Sequence, residues 1–261
     1  PTLILCQMAP PTLAVLMLVG PLIKWRLINP LTAIESAKQE LRPLIATAGL
    51  FLLLQIGTTI GWNSDHLILA GIAGSGSVAA FSVTQRLFQF ITQPLAIINA
   101  PLWGAYADAQ SHQDHGFIHK TFARSMLSTA TLATLGGILC MLAGQDIVRA
   151  WTSNSLETSL ALLSALAMWA LLESTGNALA MLLNGLNVVR QQVWTAALFI
   201  ALAIPTKVYM SGHWGATGLV WANAISFTVA LGIGYGLIFR RDIEAKLGSR
   251  QLIGKNGNHE H

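Results

Sequence analysis

The apolar positions of this chain gather in long runs, separated by short stretches where lysine, arginine, glutamate, histidine and asparagine collect. A helix needs about 20 mostly apolar residues to cross a bilayer, because each residue advances it by ~1.5 Å. By that measure the pattern predicts seven spanning helices, at about residues 3–23, 44–72, 78–106, 125–143, 156–183, 193–209 and 216–239. Residues 29–42, with Glu35, Lys38, Glu40 and Arg42, are polar and amphipathic and read as an interfacial helix leading into the second span. Residues 240–261 form a charged tail. No tandem repeat, low-complexity linker or second soluble domain interrupts the series. The expectation is an all-α polytopic membrane protein with one transmembrane domain over residues 1–239.

Residues 81–109, FSVTQRLFQFITQPLAIINAPLWGAYADA, read as one long helix that organises the rest. It carries a buried arginine, Arg86, two mid-helix prolines, Pro94 and Pro101, and an aromatic-acidic exit from Trp103 to Asp108. A proline inside a helix costs about 3 kcal/mol in water, but neighbouring helices in a membrane re-satisfy the freed carbonyl. Pro94 and Pro101 are therefore candidate hinges. The span before it is interrupted by Trp62, Asn63, Ser64 and Asp65, and a glycine-rich turn at residues 71–76 separates the two.

Composition agrees with a membrane protein. Hydrophobic residues make up 53% of the 261 and charged residues only 10%, against about 25% charged in soluble domains. The net charge of +4 does not signal nucleic acid, because the basic residues sit in short loops between apolar runs. With residues 24–42 placed in the cytoplasm, the alternate loops and the tail hold Lys120, Arg124, Arg190, Arg240, Arg241, Lys246, Arg250 and Lys255, leaving Arg149 and Lys207 outside. That asymmetry predicts a cytoplasmic C-terminus. Trp151, Tyr209 and Trp214 at the outer ends fit interfacial anchors. Cys6 and Cys140 lie in apolar segments without metal-ligand spacing and read as packing residues. The chain opens on Pro1 with no signal peptide, so a fragment or processed product is expected.

Few residues carry chemistry. At ~1.5 Å per residue, Asp65 lies roughly 14 Å before the glycine-rich turn and Arg86 roughly 18 Å after it, so antiparallel helices bring them to similar depth. They either fix helix packing as a buried pair, or Asp65 holds an Arg86 guanidinium that offers charge to an anionic substrate. Glu173 is read as the other charge deep inside a span, serving as a proton-relay or cation site or as a hydrogen-bonded packing residue. Asn99, Asn177, Asn184, Asn223 and Gln93 either face the same cavity or bond between helices. His112, His115 and His119 read as a solvated loop rather than a metal site. No Walker, HExxH or GxSxG motif is present, which disfavours ATP-driven transport and hydrolysis; neither metal nor cofactor is implied.

Residues 62–108 resemble the oligosaccharide-lipid flippases of the O-antigen (Wzx-like) type, in the superfamily that also holds MATE-type multidrug extruders and lipid II flippases. The matched elements are Asp65 followed by an apolar stretch, the glycine-rich turn, FSVTQRLFQ from Phe81 to Gln89, and PLWGAYADA from Pro101 to Ala109. The resemblance implies two six-helix bundles rocking about a central cavity. This chain would supply the last helix of the first bundle, about residues 3–23, and the second bundle, about residues 44–239; the first bundle would be a missing partner. It also implies a bacterial inner-membrane location, with polysaccharide polymerase machinery as a further partner. The cargo would be a polyprenyl-diphosphate-linked oligosaccharide, with Arg86, Asp65, Gln89, Gln93 and Asn99 as substrate-binding candidates and Glu173 and Asp65 as ion-coupling ones. A cation-coupled multidrug extruder of the same fold, and a non-transporting fragment or scaffold, are the alternatives. A cationic cavity favours the anionic glycolipid and an acidic one favours cationic drugs.

Overall fold

The computed structural model describes residues 30–234 and 236. The chain divides into two compact units, Pro1–Gly49 and Leu50–His261, and the features below belong to the second. Among the described residues every regular element is a helix: α1 Pro30–Asn99, α2 Leu102–Ser111, α3 His115–Trp151, α4 Leu160–Gly185 and α5 Val189–Gly234. Four helical stretches among the described residues are long and apolar enough to cross a membrane, which marks the chain as a membrane protein. The expected span at residues 3–23, Cys6 and the tail at residues 240–261 lie outside the described residues.

Two of the long helices are pairs joined at a kink. In α1 the break is Gly74, with φ 76° and ψ 174°; in α5 it is Trp214 and Gly215, the latter with φ 56° and ψ −139°. Positive φ is open to glycine because no Cβ meets the preceding carbonyl. Both breaks reverse the chain. His66 and Phe81, on opposite sides of Gly74, bring their rings within 5.5 Å, whereas 15 residues of straight helix would hold them ~22 Å apart. Across the second break Thr206 and Ser226 hydroxyls meet at 2.9 Å. The unit is thus a bundle of rods: residues 50–73 and 75–99 as the limbs of α1, then α3, α4, and residues 189–213 and 216–234 as the limbs of α5.

Small residues let these rods approach. One ridge of α3 buries Ser125, Thr129, Ala133, Gly137, Cys140, Gly144 and Val148, spaced by three or four residues so that they share a face. A Cβ on Gly144 would stand 2.8 Å from Leu163 and one on Gly137 3.3 Å from Ala167. As α3 ascends, α4 descends, so the pair is antiparallel and closely seated in the manner of small-residue membrane interfaces. Gly57 and Gly61 do the same for the first limb of α1: Cβ atoms there would lie 3.2 Å from Ile200 and 3.1 Å from Phe199.

The PLWGAYADA stretch closes one end of the bundle. Tyr106 is fully buried with Ala109, Ile118, Leu182, Leu183, Leu186 and Val188; its hydroxyl meets Ser125 at 3.3 Å. The α4 terminus fits against it because Gly185 has no side chain: a Cβ there would be 2.5 Å from Tyr106 Cβ and 3.0 Å from the Trp103 carbonyl. Asp114 and Ser159 cap α3 and α4 by accepting from Phe117 N at 2.9 Å and Leu162 N at 3.1 Å. Lys120, Arg124 and Arg190 are exposed near this closed end.

Two expectations are corrected, the continuous helix over residues 81–109 and the interruption at residues 62–65. The helix over residues 81–109 is not continuous: α1 stops at Asn99, and Pro101 is the N-cap residue of α2. Proline suits that place because a helix start has no use for its missing N–H. Pro94 lies inside the helix, as expected. Residues 62–65 are helical and interrupt nothing.

Gly185→Leu, which drives a side chain into Tyr106, is expected to lower stability by about 1–3 kcal/mol or more. Gly104→Ala, with open space around it, should change it by less than about 1 kcal/mol. Thermal unfolding of the purified protein, followed by tryptophan fluorescence, checks both.

Candidate functional site

Among the described residues one buried ion pair joins distant parts of the sequence. Lys207, on the first limb of α5, has no exposed surface, and its Nζ lies 2.6 Å from Asp65 Oδ1 on the first limb of α1. The same Nζ donates to the Gly61 carbonyl and, at 3.3 Å, to Ser64 Oγ. From the second limb of α5, Asn223 Nδ2 donates to Asp65 Oδ2 at 2.8 Å. Three rods therefore meet at one carboxylate. An ammonium has three N–H donors and no acceptor, and here each of the three has an oxygen.

This overturns the expected pairing of Asp65 with Arg86. The partner is Lys207, which the loop-charge count had assigned to an outer loop; the helix instead continues past it to the break at Trp214. Removing Lys207 from that count leaves Arg149 alone on the sparsely charged side. Arg86 is not buried: it is exposed on the second limb of α1, roughly 18 Å along the helix from Gly74 at ~1.5 Å per residue. No ion pair to Arg86 forms among the described residues.

Beside the ion pair lie two adjacent chambers of a cavity region whose walls share residues. The smaller, about 210 Å³, is lined by Asp65, His66, Gln85, Gln89 and Glu173 among others. The larger, about 370 Å³, includes Gln55, Ser174, Asn177 and Gln192 in its wall. Thr92, Gln93, Trp169 and Glu173 line both. On α4 the wall extends from Leu166 to Leu183, a length of ~26 Å. Glu173 stands near the middle of α4, half-buried, and no cation pairs with it among the described residues. Around it the buried oxygens Thr92 Oγ1, Ser174 Oγ and Asn177 Oδ1 have no hydrogen-bond partner.

The remaining candidates separate cleanly. Gln89 and Gln93 line the cavity. Asn99 is buried and donates to Thr129 Oγ1 at 3.2 Å, tying α1 to α3 away from the cavity. Asn184 accepts from Gln192 at 2.8 Å. Asn223 serves Asp65. His112 leans on Asp108 at 3.6 Å in an exposed turn. Sequence reasoning missed Lys207, Gln85, Thr92, Ser174 and Gln192. Gln85 had a signal: Gln85, Gln89 and Gln93 recur every four residues, which sets them on one helical face.

Comparison of the chain with protein-family models, with curated proteins and with solved structures finds no match.

Removing one member of a buried pair strands the other's charge, at a cost of about 3–5 kcal/mol. Asp65→Asn and Lys207→Met should each destabilise by roughly that amount, and the double variant by clearly less than the sum. Arg86→Ala should leave stability within about 0.5 kcal/mol of the native value. A double-mutant cycle in thermal or denaturant unfolding tests all three.

Proposed function

We propose that this chain forms one helical bundle of a bacterial inner-membrane transporter that flips a polyprenyl-diphosphate-linked oligosaccharide. The carrying observation is the face of the second α1 limb where Arg86, Gln89 and Gln93 are exposed in the middle of a long apolar helix. Arginine at mid-membrane facing lipid costs at least about 2.5–3.5 kcal/mol. A surface bearing it is better suited to a wet cavity or to a second bundle than to acyl chains.

The chemistry of that face fits the cargo. A guanidinium bonds a diphosphate through paired N–H donors. Amides such as Gln85, Gln89, Gln93 and Asn177 offer donors and acceptors to sugar hydroxyls. Phe90, Ile97 and Ile98, 72%, 71% and 65% exposed on the same limb, give a polyprenyl tail an apolar track. A second six-helix bundle would close the other side of the cavity, and substrate would pass by rocking of one bundle against the other. The basic end with Lys120, Arg124 and Arg190 would face the cytoplasm, as would the C-terminus.

Glu173 favours a second reading, a cation-coupled drug extruder of the same architecture. It is the carboxyl in the cavity that no described cation neutralises, and Arg86 lines neither chamber.

The gene that encodes this chain should restore surface polysaccharide to a strain lacking its own oligosaccharide-lipid flippase. Arg86→Ala and the double variant Gln89→Leu/Gln93→Leu should each lower that polysaccharide by about tenfold or more at unchanged membrane levels, the loss of about 1.4 kcal/mol of binding. Undiminished polysaccharide in both variants overturns the proposal. Resistance to cationic dyes that depends on Glu173, without polysaccharide, establishes the extruder instead.

A further inference from the structure

We infer that the pocket around Lys207 Nζ is a monovalent-cation site whose occupant is the protein's own side chain. This rests on the geometry of the pocket and not on the proposed cargo. The wall is made of oxygen alone: the Gly61 carbonyl, Ser64 Oγ and Asp65 Oδ1 converge on one point. That donor set, a carboxylate with a hydroxyl and a main-chain carbonyl, is the kind that holds a hard or ammonium cation.

Each wall atom is prepared for the task. The Ser64 hydroxyl spends its proton on the Gly61 carbonyl at 3.1 Å, so its lone pairs are left for the ammonium. Asp65 Oδ2 is taken by Asn223 at 2.8 Å, which turns Oδ1 toward Nζ. Gly61 lacks the Cβ that would press on Phe199, so the two rods approach closely enough for a lysine to span the gap. The ligand class is a primary ammonium. In the native chain it is tethered through four methylenes, so occupancy does not depend on the salt around the protein.

Truncation tests this. Lys207→Ala removes the atoms equivalent to n-propylammonium and leaves the oxygen wall in place. The full chain bearing Lys207→Ala, purified in detergent, should melt roughly 10 °C below the native protein. Propylammonium should recover at least half of that drop in a concentration-dependent way, while 1-propanol and tetramethylammonium at matched concentration and ionic strength recover none. The native protein should not respond to propylammonium. No recovery, equal recovery by 1-propanol, or an equal rise in the native protein overturns the inference. Lys207→Met, which fills the volume without charge, covers the case in which the alanine variant does not accumulate even with propylammonium in the growth medium. It should melt as low as expected for a stranded Asp65 and ignore propylammonium; native stability in this variant overturns the inference.

Discussion

A lysine ammonium with no exposed surface is the constraint around which this bundle is arranged. A buried charge without compensation costs several kcal/mol, so the chain must deliver oxygen to Lys207 from other rods. The carboxylate comes from Asp65 and the carbonyl and hydroxyl from the turn before it, all on α1; Asn223 secures the carboxylate from the returning limb of α5. Asp65 and Lys207 are 142 residues apart, yet their pairing fixes how the α1 and α5 hairpins sit together. The glycines at 57 and 61 belong to the same arrangement, since bulkier residues would hold the rods apart.

Helix α4 links this junction to the rest. One side of it meets the small-residue ridge of α3 at Leu163 and Ala167, and the other lines the cavity at Trp169, Glu173 and Asn177. Its lower end rests on Tyr106 through Gly185. The same helix is therefore held by close apolar packing on one face and left with unpartnered oxygens on the other. Phe227 marks how near the two regimes lie: its ring packs edge-on to Trp169 at 5.7 Å and Phe199 at 5.8 Å while also closing the larger chamber.

That the described residues form helices long and apolar enough to cross a membrane was legible in the sequence, because an apolar run long enough to cross a bilayer has few alternatives. Where rods begin and end was less so. The reversals themselves were legible, Gly74 falling in the glycine-rich turn at residues 71–76 and Gly215 between the apolar runs ending near 209 and starting near 216, and glycine supplies the positive φ at both; the helix break at Pro101 was not. Asp65 was legible as a charge needing a partner. Its partner was not, since neighbours across a hairpin are suggested by sequence order and contacts between hairpins are not. Lys207 was misplaced for a related reason: hydropathy fades near Tyr209, so the span seemed to end there, although the helix runs on and the lysine is covered by another rod. The asparagines behaved as their chemistry allows, Asn99, Asn184 and Asn223 each bonding across helices, while the four-residue spacing of Gln85, Gln89 and Gln93, which marks one helical face, went unread.

The two carboxyls that the sequence set apart, Asp65 and Glu173, end in opposite circumstances within one cavity wall. Asp65 has both oxygens engaged, one by an ammonium and one by an amide, so taking up or releasing a cation there means breaking the junction that joins the hairpins. No described residue ties Glu173 in this way, and it stands near Thr92, Ser174 and Asn177 oxygens that have no hydrogen-bond partner among the described residues. The Asp65–Lys207 pair is thus committed to holding the hairpins together, whereas Glu173 faces the cavity with no described cation beside it.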